Sequence, residues 1–163
     1  MFGTERILAA REALETLTPL RGDCGRTCGA ACCRPDEDGN GGMLLFPGEE
    51  ALYDPCPDWA RLVPSADFSG QYLFTCDGRC DRAARPLACR IFPLTPRVRE
   101  GKVIIEPDVR AWPVCPLMEC GLNGLSGAFV KAVREAMESL AQDEACLAYM
   151  KKLSEYLEQF ETL

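Results

Sequence analysis

The sequence predicts a mainly α fold: a small Cys-rich, metal-stabilised domain with a minor β hairpin and flanking helices. Three observations predict it. Apolar residues recur at helical spacing near both ends of the chain, while ten of the eleven Cys and all twelve Pro crowd the stretch between. From Leu20 to Asn40 the chain carries four Cys and almost no large apolar side chain, so something other than a hydrophobic core is expected to order it. At 163 residues with 47% apolar content, the chain suits one domain spanning 1–163. Within it the expected divisions are an N-terminal helix at 1–18, a Cys-rich metal-binding core at 20–120 and C-terminal helices at 126–161.

Each element has its own signal. In residues 4–17, Ile7, Leu8, Ala10, Leu14 and Leu17 follow near-helical spacing between charged residues, with Thr4 as a cap and Thr18-Pro19 as the stop. A short apolar run at Met43–Phe46 precedes a helical turn over Gly48–Tyr53. Pro55, Pro57 and Pro64 predict an irregular stretch from Pro55 to Gly70. Gln71–Thr75 reads as a short strand closed by the Asp77-Gly78 turn. Arg97–Pro107 reads as a small hairpin turning at Glu100-Gly101, with Val98 facing the Val103–Ile105 region. Phe129, Val130, Val133, Met137 and Leu140 mark one helix. Tyr149, Met150, Leu153, Leu157 and Phe160 mark another beyond the acidic break at Asp143-Glu144.

Composition excludes several functions. With no His in the chain, imidazole-dependent triads, HExxH sites and Cys/His zinc fingers are ruled out. A formal net charge of −7 disfavours nucleic acid and anionic membrane as partners. Charged residues interrupt the apolar stretch at the start, unlike a signal peptide, and no run approaches a membrane span, so a cytoplasmic location is expected. The Gly39–Gly42 run GNGG lacks the strand and long helix of a nucleotide-binding fold.

The thiols carry the chemistry. Cys24, Cys28, Cys32 and Cys33 form one cluster, set among Gly22, Gly25 and Gly29. Cys76 and Cys80 bracket a turn, Cys89 lies between Arg85 and Arg90, and Cys115 is followed by Cys120. An odd thiol count and the adjacent Cys32-Cys33 pair argue against a disulfide framework, and close thiolates favour a cation. Cys146 falls on an apolar helical face and reads as a small hydrophobe, Cys56 is open, and Cys120 is a reserve. All-thiolate ligation suits zinc or an iron–sulfur cluster and disfavours magnesium and calcium. Arg85 and Arg90 either pair with surface carboxylates or donate hydrogen bonds to the thiolate centre and its turn. Trp59, Phe74 and Trp112 are candidates for a pocket lining or for core packing.

The motifs CGRTCGAACCR, GMLLFPGEE, TCDGRC and RPLACRIFPL resemble the YkgJ-like zinc- or iron-chelating cysteine-cluster family, whose signature is a CxxCxxCC motif with a downstream RPxxCRxFP element. The likeness covers about residues 24–116, and its most specific part is Arg85, Pro86, Cys89, Arg90, Phe92 and Pro93. The first cluster departs from the family by having three residues, not two, in each gap. The resemblance implies a metal-binding pool of Cys24, Cys28, Cys32, Cys33, Cys76, Cys80, Cys89 and Cys115. It also implies a link, in some related sequences, to protein lysine N-methylation. The expected function is a cytoplasmic metal-binding protein with a structural zinc or iron–sulfur centre. A group-transfer enzyme and a metal storage or delivery protein are the alternatives. The expected partner is the metal ion, with a protein partner open, and no residue is assigned a catalytic role.

Overall fold

The computed structural model describes residues 3–35, 41–78 and 80–161. Residues 36–40, which include the start of the GNGG run, lie outside the described residues, as do Met1, Phe2, Arg79, Thr162 and Leu163. Five helices α1 (Gly3–Ala13), α2 (Gly25–Cys28), α3 (Leu87–Ile91), α4 (Gly127–Leu140) and α5 (Glu144–Glu161) are described. Five strands accompany them: β1 (Met43–Leu44), β2 (Ala60–Pro64), β3 (Tyr72–Cys76), β4 (Leu94–Arg99) and β5 (Lys102–Pro107). Short 3-10 turns fill much of the remainder, including Ala31–Cys33, Glu49–Tyr53, Arg82–Ala84 and Pro116–Cys120.

The mainly α expectation is corrected. The strands form two antiparallel sheets, one three-stranded with order β1-β3-β2 and one two-stranded with order β4-β5, so the fold is mixed α/β. The middle of the chain also supplies its own apolar core. Leu44, Phe46, Phe68, Leu87, Ile91 and Leu94 are buried there, and they pack with Ile7 and Leu14 beside α1 and with Phe129, Val133, Met137, Met150 and Leu157 of the C-terminal helices. A region expected to need a metal for order is therefore ordered by burial.

The elements follow from local chemistry. The alternation Ala60 buried, Arg61 exposed, with Pro64 at the strand end, makes β2 an edge strand paired Leu62 to Phe74 and Val63 to Leu73. Prolines on both sides hide it in the sequence. In the hairpin, Val98 faces Val103 and Arg99 faces Lys102, leaving Glu100 and Gly101 as a two-residue turn at φ 51° and 76°. Two successive positive φ values match the twist of the flanking strands. The hairpin is fastened to α5 by Ser154, whose hydroxyl accepts from Val98 N at 2.8 Å and donates to Met150 O at 2.7 Å.

A smaller apolar cluster lies under the three-stranded sheet: Leu45, Tyr53, Ala60 and Phe74. Tyr53 and Phe74 rings stand 4.7 Å apart, and Trp59 meets Phe74 edge-on at 5.8 Å. Leu52 packs against both clusters, and Glu49 lies in the same turn. Fully buried, Glu49 accepts from Leu87 N at 2.8 Å and Phe46 N at 3.2 Å, and Arg11 Nη1 stands 3.6 Å from it.

Candidate thiol site

Cys24 precedes α2 and Cys28 ends it, so one helical turn separates them and Cys28 Sγ points at Cys24 O, 4.0 Å away. Gly29 at φ 63° and Ala30 at φ 55° then turn the chain left-handed and start the Ala31–Cys33 turn, which carries Cys32 and Cys33. Cys76 ends β3. Gly78 at φ 86° reverses the chain toward Cys80, and Asp81 opens the next turn by accepting from Ala83 N at 3.0 Å. Cys89 is held in α3, and Cys115 opens the Pro116–Cys120 turn.

These segments close round one cleft of about 510 Å³, and all eight of these thiols line it, with Trp59, Phe74 and Arg85. Arg85 Nη2 donates to Cys80 Sγ at 3.4 Å. Arg90 turns away from the sulfurs and braces the backbone, donating to Arg85 O and Arg82 O at 2.9 Å, Ala83 O at 3.0 Å and Arg11 O at 3.3 Å, and pairing with Glu15. Trp112 is exposed and lies outside the cleft wall. Cys56 packs on the rim of the smaller cluster, Cys120 is exposed, and Cys146 is buried in the main core.

The thiols differ in their electrostatics. A hydrogen bond from the Cys32 thiol lowers Cys33 to about 6, helped by the Arg85 charge and opposed by burial and by Asp23. The same hydrogen bond, together with burial, pushes Cys32 up. Burial is the first cause raising Cys24, Cys76, Cys89 and Cys115. For Cys115 that burial acts against hydrogen bonds from the amides of Leu117 and Met118. Among the cleft thiols whose pKa is shifted, Cys33 is the one lowered.

Asp23 is the site residue that composition and spacing do not single out. Its Oδ1 accepts from Gly25 N at 2.9 Å, and its charge bears on both Cys24 and Cys33. Its place next to Cys24 is the one signal in the sequence. No signal marks Glu49, which reads as an ordinary first-turn acid and is instead fully buried.

The expected metal centre is corrected. Among the described residues no group of three or more Cys, Asp or Glu side chains is placed to hold a metal ion. A zinc site brings four sulfurs to about 2.3 Å from one point, and among the described residues these thiols are not so grouped. Zinc and iron–sulfur cofactors, the metal ion as partner, the structural metal-binding function and the storage or delivery alternative all fall with it. Among the described residues no helix is long and apolar enough to cross a membrane. No protein-family model, no curated protein and no solved structure matches the chain, and without a chelating cluster the resemblance to the YkgJ-like family, with the lysine-methylation link it implied, does not stand.

Proposed function

We propose that the cleft is a thiol–disulfide exchange site, with Cys33 as the attacking thiolate and Cys76 as the resolving thiol. The observation that carries the reading is the convergence of eight free thiols on one open cleft beside Arg85. Cys33 attacks one sulfur of a substrate disulfide. The S–S bond breaks, the departing sulfur leaves as a thiolate and takes a proton from solvent, and Cys33 holds a mixed disulfide. Cys76 loses its proton and displaces the second substrate sulfur, closing a Cys33–Cys76 disulfide. The substrate disulfide gains two electrons and two protons, and the protein dithiol loses them. An external thiol reverses the change.

The Cys33 charge acts on both Cys76 and Cys89, and Cys76, the less buried of the two, is the one a substrate in the cleft can reach. Cys32 does not suit the resolving role, since neighbouring Cα atoms lie about 3.8 Å apart, below the usual span of a disulfide. The return step needs a supply of external thiol, which a reducing compartment such as the cytoplasm maintains, and this supports a cytoplasmic location. A single domain over 1–163 is supported by the core that α1, α3, α4, α5 and the β4–β5 hairpin share.

The test is exchange between the reduced protein and a low-molecular-weight aromatic disulfide, followed by peptide mapping. The expected product is the Cys33–Cys76 disulfide, and Cys33→Ser slows exchange near pH 7 by about ten-fold or more while Cys146→Ser does not. Unchanged exchange in Cys33→Ser overturns the assignment.

A further inference from the structure

On the other side of the Arg82–Ala84 turn lies a groove of about 600 Å³, and this one carries no thiol. Its apolar surface comes from Leu8, 49% exposed on α1, and from Pro55 and Pro57. Its charged surface is acidic: Glu12 on α1 and Asp81 on the turn, beside a Glu15 that is paired with Arg90. The two arginines in the wall are engaged with other groups than Glu12 and Asp81. Arg11 stands 3.6 Å from buried Glu49 and donates to Ala83 O at 3.1 Å, and Arg90 is buried against backbone carbonyls and Glu15. The turn itself is held firmly, with Tyr53 Oη donating to Ala84 O at 2.8 Å and Arg90 Nη2 to Ala83 O at 3.0 Å.

We propose that this groove docks a basic, leucine-containing segment of a partner protein. An apolar floor with an acidic rim is complementary to lysine side chains spaced by an apolar one. The net charge of −7 attracts such a segment from a distance and repels acidic competitors. The chain runs from groove to thiol cleft at two places, Pro57 to Trp59 and Asp81 to Cys80, so a docked segment sits one turn of backbone from the thiols. The docking proposal stands independently of the exchange chemistry.

Fluorescence anisotropy with a short fluorescein-labelled peptide of lysine, leucine and glycine tests it on the full chain. Glu12→Lys and Leu8→Asp alter exposed groove residues, and Glu138→Lys makes the same charge change on the exposed side of α4. The expected result is saturable binding that Glu12→Lys and Leu8→Asp each weaken about ten-fold, with Glu138→Lys and Cys33→Ser within about two-fold of the parent. Circular dichroism spectra matching the parent show that the variants are folded. Absence of saturable binding overturns the proposal. So does equal weakening by Glu12→Lys and Glu138→Lys, which reports net charge alone, or full affinity in Leu8→Asp.

Discussion

Arg90 shows how a residue beside a cysteine can serve the site without touching sulfur. Its planar fork reaches four backbone carbonyls and Glu15, tying the Arg82–Ala84 turn to α1. Lysine has three donors on one point and cannot reproduce that fan. Ala83 O keeps Arg11 as a donor, and Arg82 O keeps Arg85 N. Arg90→Lys is therefore expected to cost about 2 kcal/mol, from Arg85 O and Arg11 O at about 1–3 kcal/mol for each carbonyl left unpaired, and urea unfolding reads the loss. Arg85, the other arginine flanking Cys89, is the one that reaches a thiol. Both positions were legible from their place around Cys89. Which of them faced sulfur was not, because that depends on how α3 is rotated against α1. The density of thiols likewise marked the region that lines the cleft, but not that its sulfurs fall short of a metal-holding group.

At the level of elements, hydrophobic spacing located α4 and α5, and a turn pair located the hairpin. The β2 strand escaped because three prolines around it read as breakers, although Pro64 occupies an edge position where a missing N–H costs little. α1 ends at Ala13, short of the expected residue 17, and the chain continues in tighter turns, with Glu15 N donating to Glu12 O at 3.1 Å and Leu17 N to Leu14 O at 3.3 Å. The hairpin carries a non-glycine residue, Glu100, at φ 51°. Asparagine tolerates that conformation better, so Glu100→Asn is expected to raise stability by about 0.5–1 kcal/mol, seen as a higher urea midpoint with an unchanged slope.

For the molecule as a whole, the sequence hid its mixed α/β character because residues 20–40 dominated the impression of a core-poor centre. The apolar side chains that fill the core come later, at Leu44 and Phe46 in one short run and then singly at Phe68 and Leu87 among glycines and prolines, where no long period exposes them. Glu49 is buried among them, and burial raises its pKa against the opposing hydrogen bonds of Leu87 and Phe46 and the Arg11 charge. A carboxyl raised in the folded state binds a proton there more tightly than in the unfolded chain. Its contribution to stability is therefore full below the ordinary carboxylate range and is lost as pH rises through the raised value. Glu49→Gln is expected to flatten the fall in stability as pH rises above the ordinary carboxylate range, as read by urea midpoints measured from there upward.

The division of apolar burial into a large and a small cluster gives the molecule an uneven energy of opening. Leu45, Tyr53, Ala60 and Phe74 bury far less surface than the assembly around α1, α4 and α5, yet their sheet and the turn after it bear Cys76 and Cys80. Amide protons in β2 and β3 should consequently exchange with deuterium well before those of α4 and α5, through excursions that leave the helices intact. The cleft then has a wall that can yield while the scaffold behind it stays closed, which lets a sulfur move by the ångström or two that forming a bond to another sulfur demands.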